Sequence, residues 1–143
     1  MNLRTSAEHY LPPDLLARAS LRGNEYAWPI DDIPRVIEAA RQAGLVNIGG
    51  QLQFRLPDGG TCECYWVCVD TYRTVSKHLP WQVRVEQTAV AALKEFSRLP
   101  SEFDFIAEGQ RGFAEHLEKF EYQGRTAREA MCFVWYVAAP DES

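Results

Sequence analysis

From residue 33 the apolar positions recur at helical spacing: Ile33, Val36, Ile37 and Ala40, with Arg35, Glu38, Arg41 and Gln42 on the other side. That spacing predicts a helix with one buried stripe. Asp31 or Asp32 is placed to cap it, and Pro34 suits its first turn. Gly44 is a natural stop, because glycine takes the left-handed conformation without a Cβ penalty. Ahead of it, Pro12 and Pro13 predict a short helix from about 13 to 20, and Gly23 and Asn24 break it.

After Gly44 the period changes to two. Leu52, Phe54 and Leu56 alternate with Gln51, Gln53 and Arg55, which predicts a half-buried strand. "PDGG" at 57–60 is a turn, and "TCECYWVCVD" is a second strand, so 46–70 reads as a β-hairpin. Gly49 and Gly50 at its entry suit a bulge or a close backbone approach. The next stretch reads two ways. "WQVRVE" alternates like a strand, yet Trp81, Val85, Ala89, Ala92, Leu93 and Phe96 fit a helix starting at Pro80. The helical pattern runs longer, so one helix over about 80–97 is expected. "RLPSEFDFIAEG" then reads as a loop with buried aromatics. A helix over about 109–122 follows, with Phe113, Leu117 and Phe120 inward and Gly124 at its end. "EAMCFVWYVA" is rich in β-formers and predicts a last strand pairing with the hairpin. The expected fold is α+β in a single domain, 1–143. Its antiparallel sheet has three or more strands, including the hairpin and a C-terminal strand at about 129–138, and helices pack on one face.

Turn length decides which way the three cysteines of "CECYWVC" face. A loop of two or four residues would put Glu63 on the apolar face of the first strand. A three-residue loop, Pro57-Asp58-Gly59, pairs Leu56 with Gly60, Phe54 with Cys62 and Leu52 with Cys64. Proline suits its first position and glycine its last. One face then carries Cys62, Cys64, Trp66 and Cys68, and the other carries Gln53, Arg55, Glu63 and Tyr65. A one-residue slip would exchange the faces, so the pattern selects this register. The cysteines are then core residues. Their C-x-C and C-x-x-x-C spacing along a strand suits neither a structural zinc site nor a redox pair, so no metal or cofactor is expected.

Charge narrows the partners. Fifteen basic and 20 acidic residues leave a net charge of −5, which argues against nucleic acid and suits a basic protein partner. The N-terminus lacks a leader's apolar run, and "AMCFVWYVAA" has half the ~20 residues a membrane-spanning helix needs. A cytoplasmic protein without membrane attachment is expected, with its cysteines reduced. Chemistry is thin: His9, His78 and His116 are the histidines, and no P-loop, H-E-x-x-H or G-x-S-x-G run occurs. Glu115, Glu118 and Glu121 read as a solvated helix face.

A binding surface is easier to build. "NEYAWP" at 24–29 places Glu25, Tyr26 and Trp28 in a connection ahead of the capped helix, and Tyr and Trp are common at binding hot spots. For Trp28 the favoured reading is a staple holding the helix start to the core. The polar hairpin face, with Arg55, Glu63 and Tyr65, is the second candidate, open if no helix covers it. Partner contacts are therefore assigned to Glu25, Tyr26, Trp28, Glu63 and Tyr65.

"EYAWP", the helix "VIEAARQAGL" and "GGQLQFRLPDG" together resemble a pattern of small bacterial proteins of the immunity-protein type, from polymorphic and contact-dependent toxin systems. The resemblance spans roughly residues 20–70 and rests on fold-forming motifs. It implies a cytosolic protein that binds and neutralises a cognate toxin domain, and it carries no site residues. Two other classes stay open. One is a small enzyme or ligand binder with a pocket between sheet and helices, using His78 or His116. The other is a homo-oligomer joined through an exposed sheet face.

Overall fold

The computed structural model describes residues 6–140. The first five residues, on which part of the leader expectation falls, lie outside them. The fold is α+β. Helices α1 (Pro13–Arg18), α2 (Ile33–Gln42), α3 (Trp81–Glu102), α4 (Phe105–Gly112), α5 (Ala114–Tyr122) and α6 (Ala127–Ala130) accompany five strands. These are β1 (Ser20–Arg22), β2 (Glu25–Trp28), β3 (Val46–Arg55), β4 (Thr61–Asp70) and β5 (Met131–Ala138). They form one antiparallel sheet in the order β1-β2-β5-β3-β4, with the helices on one face. Among the described residues no helix is long and apolar enough to cross a membrane.

Helix α2 buries Ile33, Val36, Ile37 and Ala40, as its spacing requires. It ends in a Schellman motif on Gly44 (φ +74°): Leu45 N–H donates to Ala40 O and Gly44 N–H to Arg41 O. Its start departs from expectation. Asp32 caps nothing; its buried carboxylate accepts from Arg18 Nε at 2.7 Å and so ties α1 to α2. The segment 20–28, read as a helix break and a connection, is the hairpin β1–β2. Gly23 (φ +60°) leads its two-residue turn, as a II′ turn demands. Its strands are too short for alternation to show.

The three-residue turn holds. Leu56 N–H donates to Gly60 O, Gly59 has φ +96°, and the register is Phe54–Cys62 and Leu52–Cys64. Beyond it β4 bulges: Leu52 faces Cys64, but Gln51 faces Cys68. The extra residues reverse the alternation. Val67 and Val69 turn into the helix-side core, and Cys68 leaves the face on which it was expected. Trp66 stays on the helix side, stacked on Phe113 with its Nε1 donating to Glu108 Oε1 at 2.7 Å.

Helix α3 begins at Trp81, which excludes a strand there, and runs on to Glu102 with Pro100 in its last turn. Leu93, expected inside, is 44% exposed. The segment read as a loop is thus the end of α3, a corner at Phe103–Asp104 and the start of α4, capped by Asp104 Oδ1 to Ala107 N–H at 3.1 Å. The helix expected over 109–122 breaks at Phe113 into α4 and α5. Strand β5 lies between β2 and β3 and carries Phe133 and Trp135 into the core. There Asn47, wholly buried, accepts from Trp135 Nε1 at 2.8 Å and donates to Ile37 O, joining the sheet to α2.

Candidate interaction surface

The sheet face away from the helices carries Gln51, Gln53 and Arg55 of β3, Cys132, Val134 and Tyr136 of β5, Glu25 and Ala27 of β2, and Glu63 of β4. Among the described residues no helix covers this stretch of the face, yet Gln53 and Val134 are wholly buried and Arg55 is 8% exposed. The cover is the β1–β2 hairpin. Arg55 Nη1 donates to Ser20 O at 2.6 Å and Nη2 to Glu25 O at 3.1 Å. Arg22 on β1 donates to Leu56 O at 2.6 Å and Gly60 O at 2.9 Å, at the β3–β4 turn. In a flat sheet β1 and β4 would stand about 19 Å apart, four strand spacings. One guanidinium arm cannot span that gap, so the sheet curls and its polar face is the inside of the curl.

Two hydrogen-bonded chains run across this face. Gln53 Nε2 donates to Glu63 Oε1 at 3.2 Å, and Arg55 Nε donates to Gln53 Oε1 at 3.0 Å. Tyr136 Oη donates to Glu25 Oε2 and accepts from Gln51 Nε2 at 3.3 Å. Burial, then the carboxylate of Glu25, pushes the Tyr136 phenol well above its usual range. Burial pulls the Arg55 guanidinium below its usual range. It rests on neutral acceptors, which hold it in place with its charge still present.

The sequence-assigned contacts divide between the two faces. Glu25 and Glu63 share the curled polar face. Glu63 is exposed at its rim, and Glu25 is half-buried. Neither has an ion-pair partner among the described residues. Tyr65 stands in the bulge of β4, 73% exposed, with its ring edge-on to Trp66 at 5.4 Å. Tyr26 points to the helix side, half-buried and stacked on Trp28 at 6.0 Å. Trp28 is in the core: it is wholly buried and its Nε1 donates to Leu15 O at 2.8 Å. Of its two readings the staple is the one found, and it offers a partner no surface. Arg55, named with the hairpin face, is closed off by β1–β2.

Tyr136 escaped attention because it sits in an otherwise apolar run. Its phenol, in the phase of Cys132 and Val134, was the available signal. The histidines lie apart from this face. His116 borders a hollow of about 100 Å³ with Asp58 and Lys119, and His78 borders a depression lined also by Lys77 and Arg84. Among the described residues no cluster of three or more His, Cys, Asp or Glu is arranged to hold a metal. Burial pushes the thiol of Cys64 up to about 12 and that of Cys132 to about 11. Comparison with family models, with curated proteins and with solved structures finds no match to this chain.

Proposed function

We propose that this chain is a non-catalytic protein-binding module, a bacterial immunity protein that masks a toxin domain in the cytoplasm of the cell that makes it. The observation that carries the binding surface is Tyr65. A bulge in an edge strand turns a large aromatic ring into water, 73% exposed, two residues along from the exposed Glu63. Bulges re-aim side chains next to functional sites, and exposed tyrosines anchor interfaces at low entropic cost. Carboxylates without an ion-pair partner among the described residues, on a chain of net charge −5, favour a basic partner. The toxin as partner comes from the resemblance of residues 20–70 alone.

Co-expression with a candidate toxin domain, sought among the neighbouring genes, tests this. Growth should be rescued by the wild type and lost with Tyr65→Ala plus Glu63→Arg, with both proteins equally folded. No rescue by the wild type sinks the immunity assignment. Rescue that survives the double variant moves the interface elsewhere. The ligand-binding alternative has the His116–Asp58 hollow in its favour. At about 100 Å³ it is smaller than the ~300–1,000 Å³ of ligand sites, and the depression beside His78, about 480 Å³, has no carboxylate in its lining.

A further inference from the structure

The corner between α3 and α4 is built from a segment whose aromatics the sequence suggested were buried. Phe103, Phe105 and Ile106 are instead half-buried, and with Met131 they line an open cleft of about 410 Å³. That volume falls in the ~300–1,000 Å³ range of ligand sites, and the half-buried apolar floor offers contact area to an occupant. Asp31 and Asp104 stand exposed on the rim from two different segments, and Arg128 lines it from a third. None of the three has an ion-pair partner among the described residues. The rim is acidic by one charge.

We propose that this cleft seats an arginine side chain of the protein partner. The inference rests on the protein-binding reading and names the chemistry of an anchor. Arginine's methylene stem can cover the apolar floor, its flat guanidinium can lie on a phenylalanine face, and its fork can reach carboxylates from two directions. A leucine would fill the floor and leave both carboxylates without a cation. A glutamate would meet them with like charge.

The test is an NMR titration of the full chain with acetyl-Gly-Arg-Gly-amide, beside the citrulline and leucine analogues. Saturable shifts are expected at the amides of residues 30–31, 103–106 and 131, with weak, millimolar affinity. Citrulline should bind several-fold more weakly, and so should leucine. Asp31→Asn and Asp104→Asn should each weaken the arginine peptide about two- to fivefold, the range of exposed ion pairs. Asparagine keeps the cap on α4, so the second change removes charge without unwinding the helix. Absence of saturable shifts at the cleft, or equal binding of the citrulline peptide, overturns the proposal. Either result leaves the Tyr65 surface to its own growth assay, so the two failures are told apart.

Discussion

Tyr136 on β5 donates its phenolic proton to Glu25 on β2, and Gln51 on β3 donates to the same phenol. One hydroxyl thus joins three adjacent strands at the mouth of the curled face. Tyr136→Phe keeps the ring and removes the hydroxyl, leaving a carboxylate and an amide to find water. The expected loss is about 0.5–1.5 kcal/mol, because both abandoned groups are only half-buried. Urea unfolding measures it. A loss above about 3 kcal/mol would show that the hydroxyl supports much more than these two bonds.

Arg55 should hold the β1–β2 hairpin shut. β2 pairs with β5 at only two positions, so the guanidinium's bonds to Ser20 O and Glu25 O are much of what keeps the hairpin down. Arg55→Met should cost about 1.5–3 kcal/mol, since charge-assisted bonds to Ser20 O and Glu25 O are lost. Hydrogen exchange locates the effect. Amides of 20–28 should speed up far more than those of 46–54, and equal acceleration of both would refute the strap.

How far these contacts were legible follows from particular residues. The Pro57-Asp58-Gly59 turn fixed the register of Phe54 on Cys62, and with it the outward aim of Glu63. The bulge was hidden because "YWVCV" is apolar in both phases, so Cys68 and Val67 compete equally for the core. The β1–β2 hairpin was hidden because three or four residues show no period. Trp28 could be a staple or a hot spot; its place before the helix start favours the staple, and burial decides it. The break at Phe113 was masked because Phe105, Gly109 and Phe113 keep the i, i+4 phase of Leu117. The acidic cleft is not legible because residues 98–109 read as one loop, where the fold has the last turn of α3, a corner and the start of α4.

Gly109 lets α4 lie directly on the sheet. A Cβ there would sit 2.3 Å from Phe54 Cε1, and Phe54 is wholly buried with little room to give. Gly109→Ala should therefore destabilise by about 1–3 kcal/mol despite the better helix propensity of alanine. Adding Phe54→Leu should recover part of that loss, a coupling that a double-mutant cycle in urea reads directly. Strict additivity of the two changes would mean that the helix shifts away at no cost.

Alkaline pH should weaken the fold in steps. Burial raises the Cys132 thiol to about 11 and the Cys64 thiol to about 12, and it raises the Tyr136 phenol as well. A raised folded-state pKa means that the folded chain holds its proton after the unfolded chain has released it. The stability is complete below the unfolded value and is lost as pH climbs toward the folded one. Loss should begin near the ordinary thiol range, about pH 8.5–9, with the phenol adding its share above about pH 10. Cys132→Ala should remove up to roughly 3 kcal/mol of this pH dependence while costing some stability at neutral pH. Urea melts across pH 7–11 on the wild type and this variant give both slopes. Parallel curves would place the alkaline loss on other groups.

Cys68 should be the one fast thiol. The bulge at Tyr65–Val67 moves it off the helix-side core, where Cys62 and Cys64 remain, and leaves it partly open opposite Gln51. Cys132 lies under the β1–β2 hairpin, 8% exposed, its Sγ against Gln53 O. A thiol reagent in buffer should therefore modify one cysteine quickly and the other three at the rate of opening, and all four quickly in denaturant. Cys68→Ser should abolish the fast phase and leave the slow ones in place. Arg55→Met should move Cys132 from slow to fast without altering Cys62 and Cys64, because it releases the hairpin and leaves the helix side closed. A Cys68 as slow as Cys62 and Cys64 would mean that β4 keeps its alternation past Tyr65. In that case Tyr65 would owe its exposure to the strand edge rather than to the bulge.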